Sequence, residues 1–228
     1  VAEEPAEEPV EEEIPEEEME LMEDPVTSAY PIYIDDGKGE GPEAYTTSTT
    51  DVEGGWSFDA ATVTLTLNGF NGKSIYAQGN FTLVLNGTNT ITMPADLGYA
   101  VKSDKNIYVE KTTNSATDIL NINVPTSHSV STNIIFSNYG MTMNGGTINI
   151  TTAELNTNRT LYATFSDVYL KNDASLNYDI TNTNQYAKTV GIFSTLYMQS
   201  SADCSFSIFS NFPDSFNIYR FDMKSSGD

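Results

Sequence analysis

Tyr108, Tyr169 and Tyr197, together with Asn121, Asn149 and Asn177, are the residues whose types and spacing could do chemistry. Each tyrosine is the centre of an apolar triplet: Ile107-Tyr108-Val109, Val168-Tyr169-Leu170 and Leu196-Tyr197-Met198. In a strand, alternation sends the flanking residues to one face and the tyrosine to the other. An exposed phenol ring can pack on the apolar face of a sugar while its hydroxyl finds hydrogen bonds. The asparagines are the centres of Leu120-Asn121-Ile122, Ile148-Asn149-Ile150 and Leu176-Asn177-Tyr178, spaced 28 and 28 residues apart. Amides repeated at strand spacing can bond each other as a ladder or bond the hydroxyls of a glycan. A self-bonding ladder explains the asparagines without any ligand. The tyrosine column is harder to explain that way, because aromatics exposed in a row exceed what solubility favours.

Bond-making chemistry is poorly provided for. A polysaccharide lyase needs an Arg or Lys base beside carboxylates that hold calcium, and a glycoside hydrolase needs two carboxylates at a set separation. The outward positions of the first triplets are Val84, Tyr108, Thr142, Tyr169 and Tyr197, and those of the second are Thr92, Asn121, Asn149, Asn177 and Ser207. Neither set contains a base or a carboxylate pair. Arg159 and Arg220 fall in turns or irregular segments, Asp35-Asp36 precedes the repeats, and His128 sits in the loop "VPTSHSVS". These charged residues read as solvated surface groups, so no catalytic residue is expected. Calcium could be accommodated by Asp and Asn at corners, but no spaced ligand motif is present.

The elements that must position these columns repeat. First triplets begin at residues 83, 107, 141, 168 and 196, and second triplets at 91, 120, 148, 176 and 206. A further apolar patch precedes each first triplet, in "SIYA", "YAVK", "NIIF", "LYAT" and "VGIF". Three short strands in about 28 residues, separated by Gly, Asn, Asp and Ser, describe one coil of a parallel β-helix of about five to six coils. The phrase "FTLVLNGTNTIT" at 81–92 then becomes two strands around a corner, not a hairpin. Leu83, Val109, Met143, Leu170 and Met198 are expected to stack as one interior column. A single coil buries too little to repay its ordering entropy, so the fold requires an array with protected ends.

Composition agrees. The chain has 228 residues, 39% hydrophobic and 18% charged, with 13 Tyr and 11 Phe, which favours an all-β fold with a sizeable core. Of its 32 acidic residues, 13 lie in residues 1–26, which hold no basic residue. That leaves 19 acidic against 10 basic residues in the remainder, an ordinary mildly acidic domain. Residues 1–26 read as a disordered Glu/Pro-rich spacer, and residues 27–228 as the β-helix domain. Scattered Lys and Arg argue against nucleic acid as a partner. No segment is long and apolar enough to span a membrane. A start at Val followed by an acidic spacer is what a processed secreted protein would show. With one Cys, no internal disulfide forms, and Cys204 reads as a small core residue.

Trp56 and Phe58 stand before the alternating strand Val63-Leu65-Leu67, and "YPIYID" at 30–35 could be another strand. A lone Trp could be a sugar platform, but capping the open core of the first coil explains it without a ligand. Here the residues carry a resemblance. "WSFDAATVTLTLNGFNGKSIYAQGNFTLVLNGTNTIT", covering about residues 55–92, resembles the opening of bacterial secreted or surface proteins, common in gut Firmicutes, described as carbohydrate-binding domain-containing proteins. That resemblance implies a single-stranded right-handed parallel β-helix, export and surface attachment.

The expected function is therefore a non-catalytic, extracellular or cell-surface module that binds polysaccharide or glycan along an outward face. The alternatives are a stalk or adhesin scaffold contacting a cell-wall or host surface protein, and, third, a polysaccharide lyase or hydrolase. The segment "FNIYRFDMKSSGD" reads as the first apolar patch and turn of a sixth coil, which predicts a fragment of a longer array with residues 209–228 poorly anchored.

Overall fold

The structure is a computed structural model that describes residues 30–39, 41–112, 117–125, 132–155, 160–182, 188–192, 195–199, 203–210 and 220–224. The acidic segment 1–26, His128 and Arg159 lie outside the described residues.

The described chain is all-β and folds as a parallel solenoid with three faces. Sheet A stacks Ser74–Ala77, Val101–Ser103, Thr132–Ser137, Thr160–Phe165 and Lys188–Ile192 in parallel. Sheet B stacks Thr64–Asn68, Phe81–Asn86, Asn106–Lys111, Gly140–Asn144, Val168–Lys171, Thr195–Gln199 and Arg220–Lys224. Sheet C stacks Asn71–Gly72, Thr88–Thr92, Ile119–Val124, Thr147–Leu155, Ser175–Asn182 and Ser205–Ser210. The chain visits A, then B, then C, and each strand pairs with its counterpart in the repeats before and after. Such ladders bring residues about 28 positions apart to one strand spacing, roughly 4.8 Å.

The corner at Asn86-Gly87 shows how a phrase that looks like a hairpin becomes a bend between sheets. Phe81–Asn86 belongs to sheet B and Thr88–Thr92 to sheet C, with no pairing between them. Gly87 has φ +67°, a left-handed conformation that a side chain disfavours, and its N–H donates to the Asp118 carboxylate at 2.9 Å. Asp118 is buried, so the corner is anchored from the following repeat.

Inside, Leu83, Val109, Met143, Leu170 and Met198 do form one column in direct register. Phe81, Ile107, Met141, Val168 and Leu196 form a second. The residues of both are buried, apart from partly buried Met198. One polar pair is matched across the interior. Where sheet A changes from Ile135 to Thr164, sheet C changes from Ile150 to Tyr178, and the two hydroxyls meet at 2.7 Å. Cys204 is half-buried at the edge of this core.

Antiparallel strands close the front. Trp56–Asp59 pairs with Thr64–Asn68, and Ile32–Asp35 pairs with Ser74–Ala77. Trp56 and Phe58 are buried in the core cluster, so Trp56 covers the first repeat and is no surface platform. Strands laid across the first rungs occupy ladder groups that would otherwise recruit another chain.

Three expectations need correction. Tyr108 pairs with Thr82 instead of Val84, which stands opposite Glu110; likewise Asn121 pairs with Thr90, and Thr92 with Asn123. Arg220–Lys224 is a regular strand of sheet B, with Phe221 opposite Leu196 and Met223 opposite Met198, so this segment occupies the place of a first triplet, not of an apolar patch. Asp35 is buried and ion-paired with Lys73 at 3.8 Å, not a solvated surface group.

Candidate functional site

Sheet B carries the tyrosine column outward as Thr82, Tyr108, Thr142, Tyr169 and Tyr197. Tyr169 and Tyr197 are half-buried and stacked, with ring centroids 4.4 Å apart and planes 4° from parallel. Burial, the Asp167 charge and its tyrosine neighbour all push the Tyr169 phenol up. Tyr108 is separate, 39% exposed, with a threonine on each neighbouring rung. The column therefore offers one open ring with hydroxyls on both sides, and one ring pair whose facing surfaces are already covered.

Sheet C aligns Asn121, Asn149 and Asn177, as the spacing predicts. The Asn149 amide donates to Asn121 Oδ1 at 2.9 Å, the Asn177 amide to Asn149 Oδ1 at 3.0 Å, and Ser207 Oγ to Asn177 Oδ1 at 2.6 Å. The ladder satisfies itself. It adds bonds along the axis between rungs already joined by their backbones.

Sheet A holds functional candidates that sequence reasoning missed. Its outward column runs Tyr33, Tyr76, Lys102, Phe136. Tyr33 and Tyr76 stack at 5.3 Å and 14°, and Tyr99 tilts against Tyr76 at 6.0 Å. The Lys102 ammonium sits 4.4 Å from the Tyr76 ring centre and pairs with Asp104 at 3.4 Å. Tyr76 donates its hydroxyl to the same carboxylate at 2.6 Å, while Gln78 donates to the Tyr33 hydroxyl at 3.3 Å. A signal for this column is present in Ile75-Tyr76-Ala77, Val101-Lys102-Ser103 and Ile135-Phe136-Ser137. In each, an inward apolar residue and an inward small residue flank an outward aromatic or Lys.

Tyr76 supplies a pH prediction. Its phenol is pushed up to about 12, first by burial and then by the bond to Asp104. The folded state thus holds the neutral phenol more tightly than the unfolded chain, where it titrates near the ordinary 10.0. This contribution to stability is full below pH 10 and is lost as pH rises toward 12. Phenolate absorbance should show Asp104→Asn titrating part of the tyrosine signal at lower pH than the parent. An unchanged titration would contradict the Tyr76–Asp104 contact.

The front of the molecule also has a groove of about 560 Å³, lined in part by Asp36, Lys38, Glu53 and Lys73. The buried carboxylate beside it is spent internally, since Asp35 accepts the Gly37 N–H at 3.0 Å and pairs with Lys73. Among the described residues, no group of three or more His, Cys, Asp and Glu side chains could hold a metal ion, and no helix is long and apolar enough to cross a membrane.

By fold the chain is an all-β parallel solenoid presenting two aromatic faces and one amide face. Comparison with known families, with curated proteins and with solved structures finds no match.

Proposed function

We propose that this protein is a non-catalytic extracellular surface module that binds a polysaccharide or glycan along an outward face of the solenoid. The observation that carries the reading is the in-register column Thr82–Tyr108–Thr142–Tyr169–Tyr197, with Tyr108 open between two threonines. A sugar ring packs on the open phenol, threonine hydroxyls on adjacent rungs bond its hydroxyls, and a chain laid along the axis meets the stacked pair further on. The extracellular placement rests on the resemblance of residues 55–92 to exported surface proteins. The winding is proposed as right-handed over five to six coils, the hand that parallel crossover connections overwhelmingly adopt.

The passive stalk or adhesin scaffold is the second reading. It is favoured by the closed Asn121–Asn149–Asn177 ladder and by the Tyr169–Tyr197 stack, both of which need no ligand. Glycan-array binding by the intact chain separates the two. We expect a glycan signal that falls about tenfold or more in Tyr108→Ala/Tyr169→Ala/Tyr197→Ala, a loss of at least about 1.4 kcal/mol. An undiminished signal would remove the column from the account. Absence of any glycan signal, with binding to a cell-wall or host surface protein, would favour the scaffold.

A further inference from the structure

We propose that the corner where sheet A turns into sheet B is a second binding site, selective for a sugar bearing a carboxylate. It rests on the glycan-binding reading but places anion selectivity on residues away from the sheet B tyrosines. Tyr139 is 61% exposed, and the Lys105 ammonium lies 4.9 Å from its ring centre. Lys38, Lys73, Lys102 and Lys111 each pair with an aspartate, whereas Lys105 and exposed Lys171 have no ion-pair partner among the described residues; of these two, Lys105 is the one that lies over an exposed ring. The ammonium lies over the exposed ring and is neutralised by no carboxylate among the described residues, so a pyranose that carries one negative charge can draw it off the ring, pack its own apolar face on the phenol and take the ammonium on its carboxylate.

The same corner is held rigidly from inside. Ser103 and Ser137 are buried and stand in register in one interior column. Ser103 Oγ donates to Gly79 O at 2.8 Å and accepts the Lys105 N–H at 2.9 Å. Ser137 Oγ accepts the Gly140 N–H at 2.9 Å and lies 2.6 Å from Lys105 O. The Asn138 amide donates to Asp104 O at 2.9 Å, tying the two turns together. Lys105 and Tyr139 are thereby presented on backbone that binding need not order, which spares affinity the usual entropic cost. The adjacent Asp104 does not repel an anion strongly, because Lys102 and the Tyr76 hydroxyl already occupy it.

Charge argues for this location. Residues 27–228 carry 19 acidic against 10 basic residues, so an anionic polymer is disfavoured over most of this surface and favoured where a cation is unpaired. At this corner Asp104 is paired with Lys102 and Asp167 accepts the Thr195 N–H at 3.0 Å, so both carboxylates are engaged while the Lys105 ammonium is ion-paired with neither.

The test is calorimetric titration of the intact chain with polygalacturonate, with its fully methyl-esterified neutral form, and with a sulfated glycan. We expect polygalacturonate to bind more tightly than the ester and the sulfated chain, and to weaken with added salt. Lys105→Gln and Tyr139→Ala should each cost about tenfold in polygalacturonate affinity, while Lys105→Arg retains it. Tyr169→Ala/Tyr197→Ala should leave this selectivity in place. Equal binding of acid and ester, tighter binding of the sulfated glycan, or an unaffected Lys105→Gln variant would overturn the proposal. Neutral glycans bound through the sheet B tyrosines, with no uronate preference, would refute this site alone; failure of every glycan would refute both readings.

Discussion

Leu170→Asp should abolish the cooperative fold, while Thr142→Asp, one rung away and facing outward, should leave it nearly intact. Leu170 is 1% exposed and lies in register between Met143 and Met198 in the sheet B interior column. A carboxylate there has no cation within the column and loses its hydration. Removing such a group from water costs several kcal/mol even when it responds by taking up a proton. Domain stabilities are only about 5–15 kcal/mol, so the substitution consumes most or all of the margin. Thr142 is half-buried on the outer face, between Tyr108 and Tyr169, where a carboxylate keeps contact with water. Chemical denaturation followed by circular dichroism measures both variants. Similar midpoints for the two would refute the inward and outward assignment.

Asn89→Leu should destabilise the protein by several kcal/mol, although a pattern of apolar residues would predict the reverse. Asn89 is fully buried and stands opposite Leu120, in the column continued by Ile148 and Leu176. Leucine would extend that column. The asparagine, however, is the hydrogen-bonding hub of the first corner. Its Oδ1 accepts the Phe70 N–H at 3.0 Å, and its amide reaches Gly87 O at 3.2 Å and Ile119 O at 3.3 Å. Leucine leaves those backbone groups buried without these partners, at about 1–3 kcal/mol for each one. A thermal melt at or above the parent's would show that packing outweighs the corner bonds.

Asn89 also marks where the sequence stops being legible. The repeat, the three strands per coil and the interior columns beyond the first repeat follow from apolar alternation, which is strong in Ile107–Val109, Leu120–Ile122 and Ile148–Ile150. In the first repeat the same rule is degenerate. Leu83 and Leu85 both point inward, so a shift of two residues preserves every inward and outward assignment. The corner bonds break that tie, through Gly87 to Asp118 and Asn89 to Phe70, and alternation carries no information about them. Asn89 then disguises the true inward position, because a polar residue there reads as outward.

The C-terminal strand is ambiguous for the same reason: Phe221 and Met223 alternate as well as the residues before them do, and pairing with Leu196 and Met198 decides the sheet. Of the site, the tyrosine and asparagine columns were legible from spacing alone. Their contacts were not. Whether neighbouring rings stack or stand apart depends on which rungs are adjacent, which places Tyr197 on Tyr169 but puts Thr142 between Tyr169 and Tyr108. Alternation does not reveal the sheet A column, because Tyr76 and Phe136 stand inside apolar patches of the sequence and only the register turns both outward.

The central claim is that an outward face of the solenoid, not a cleft, holds a glycan. A crystal structure of the chain with the oligosaccharide it binds most tightly tests this most directly. The account predicts a sugar chain lying across successive rungs, with a pyranose packed on Tyr108 of sheet B or on Tyr139 at the neighbouring corner. An oligosaccharide seated instead in the front groove between Asp36, Glu53 and Lys73, with both tyrosines bare, would contradict it.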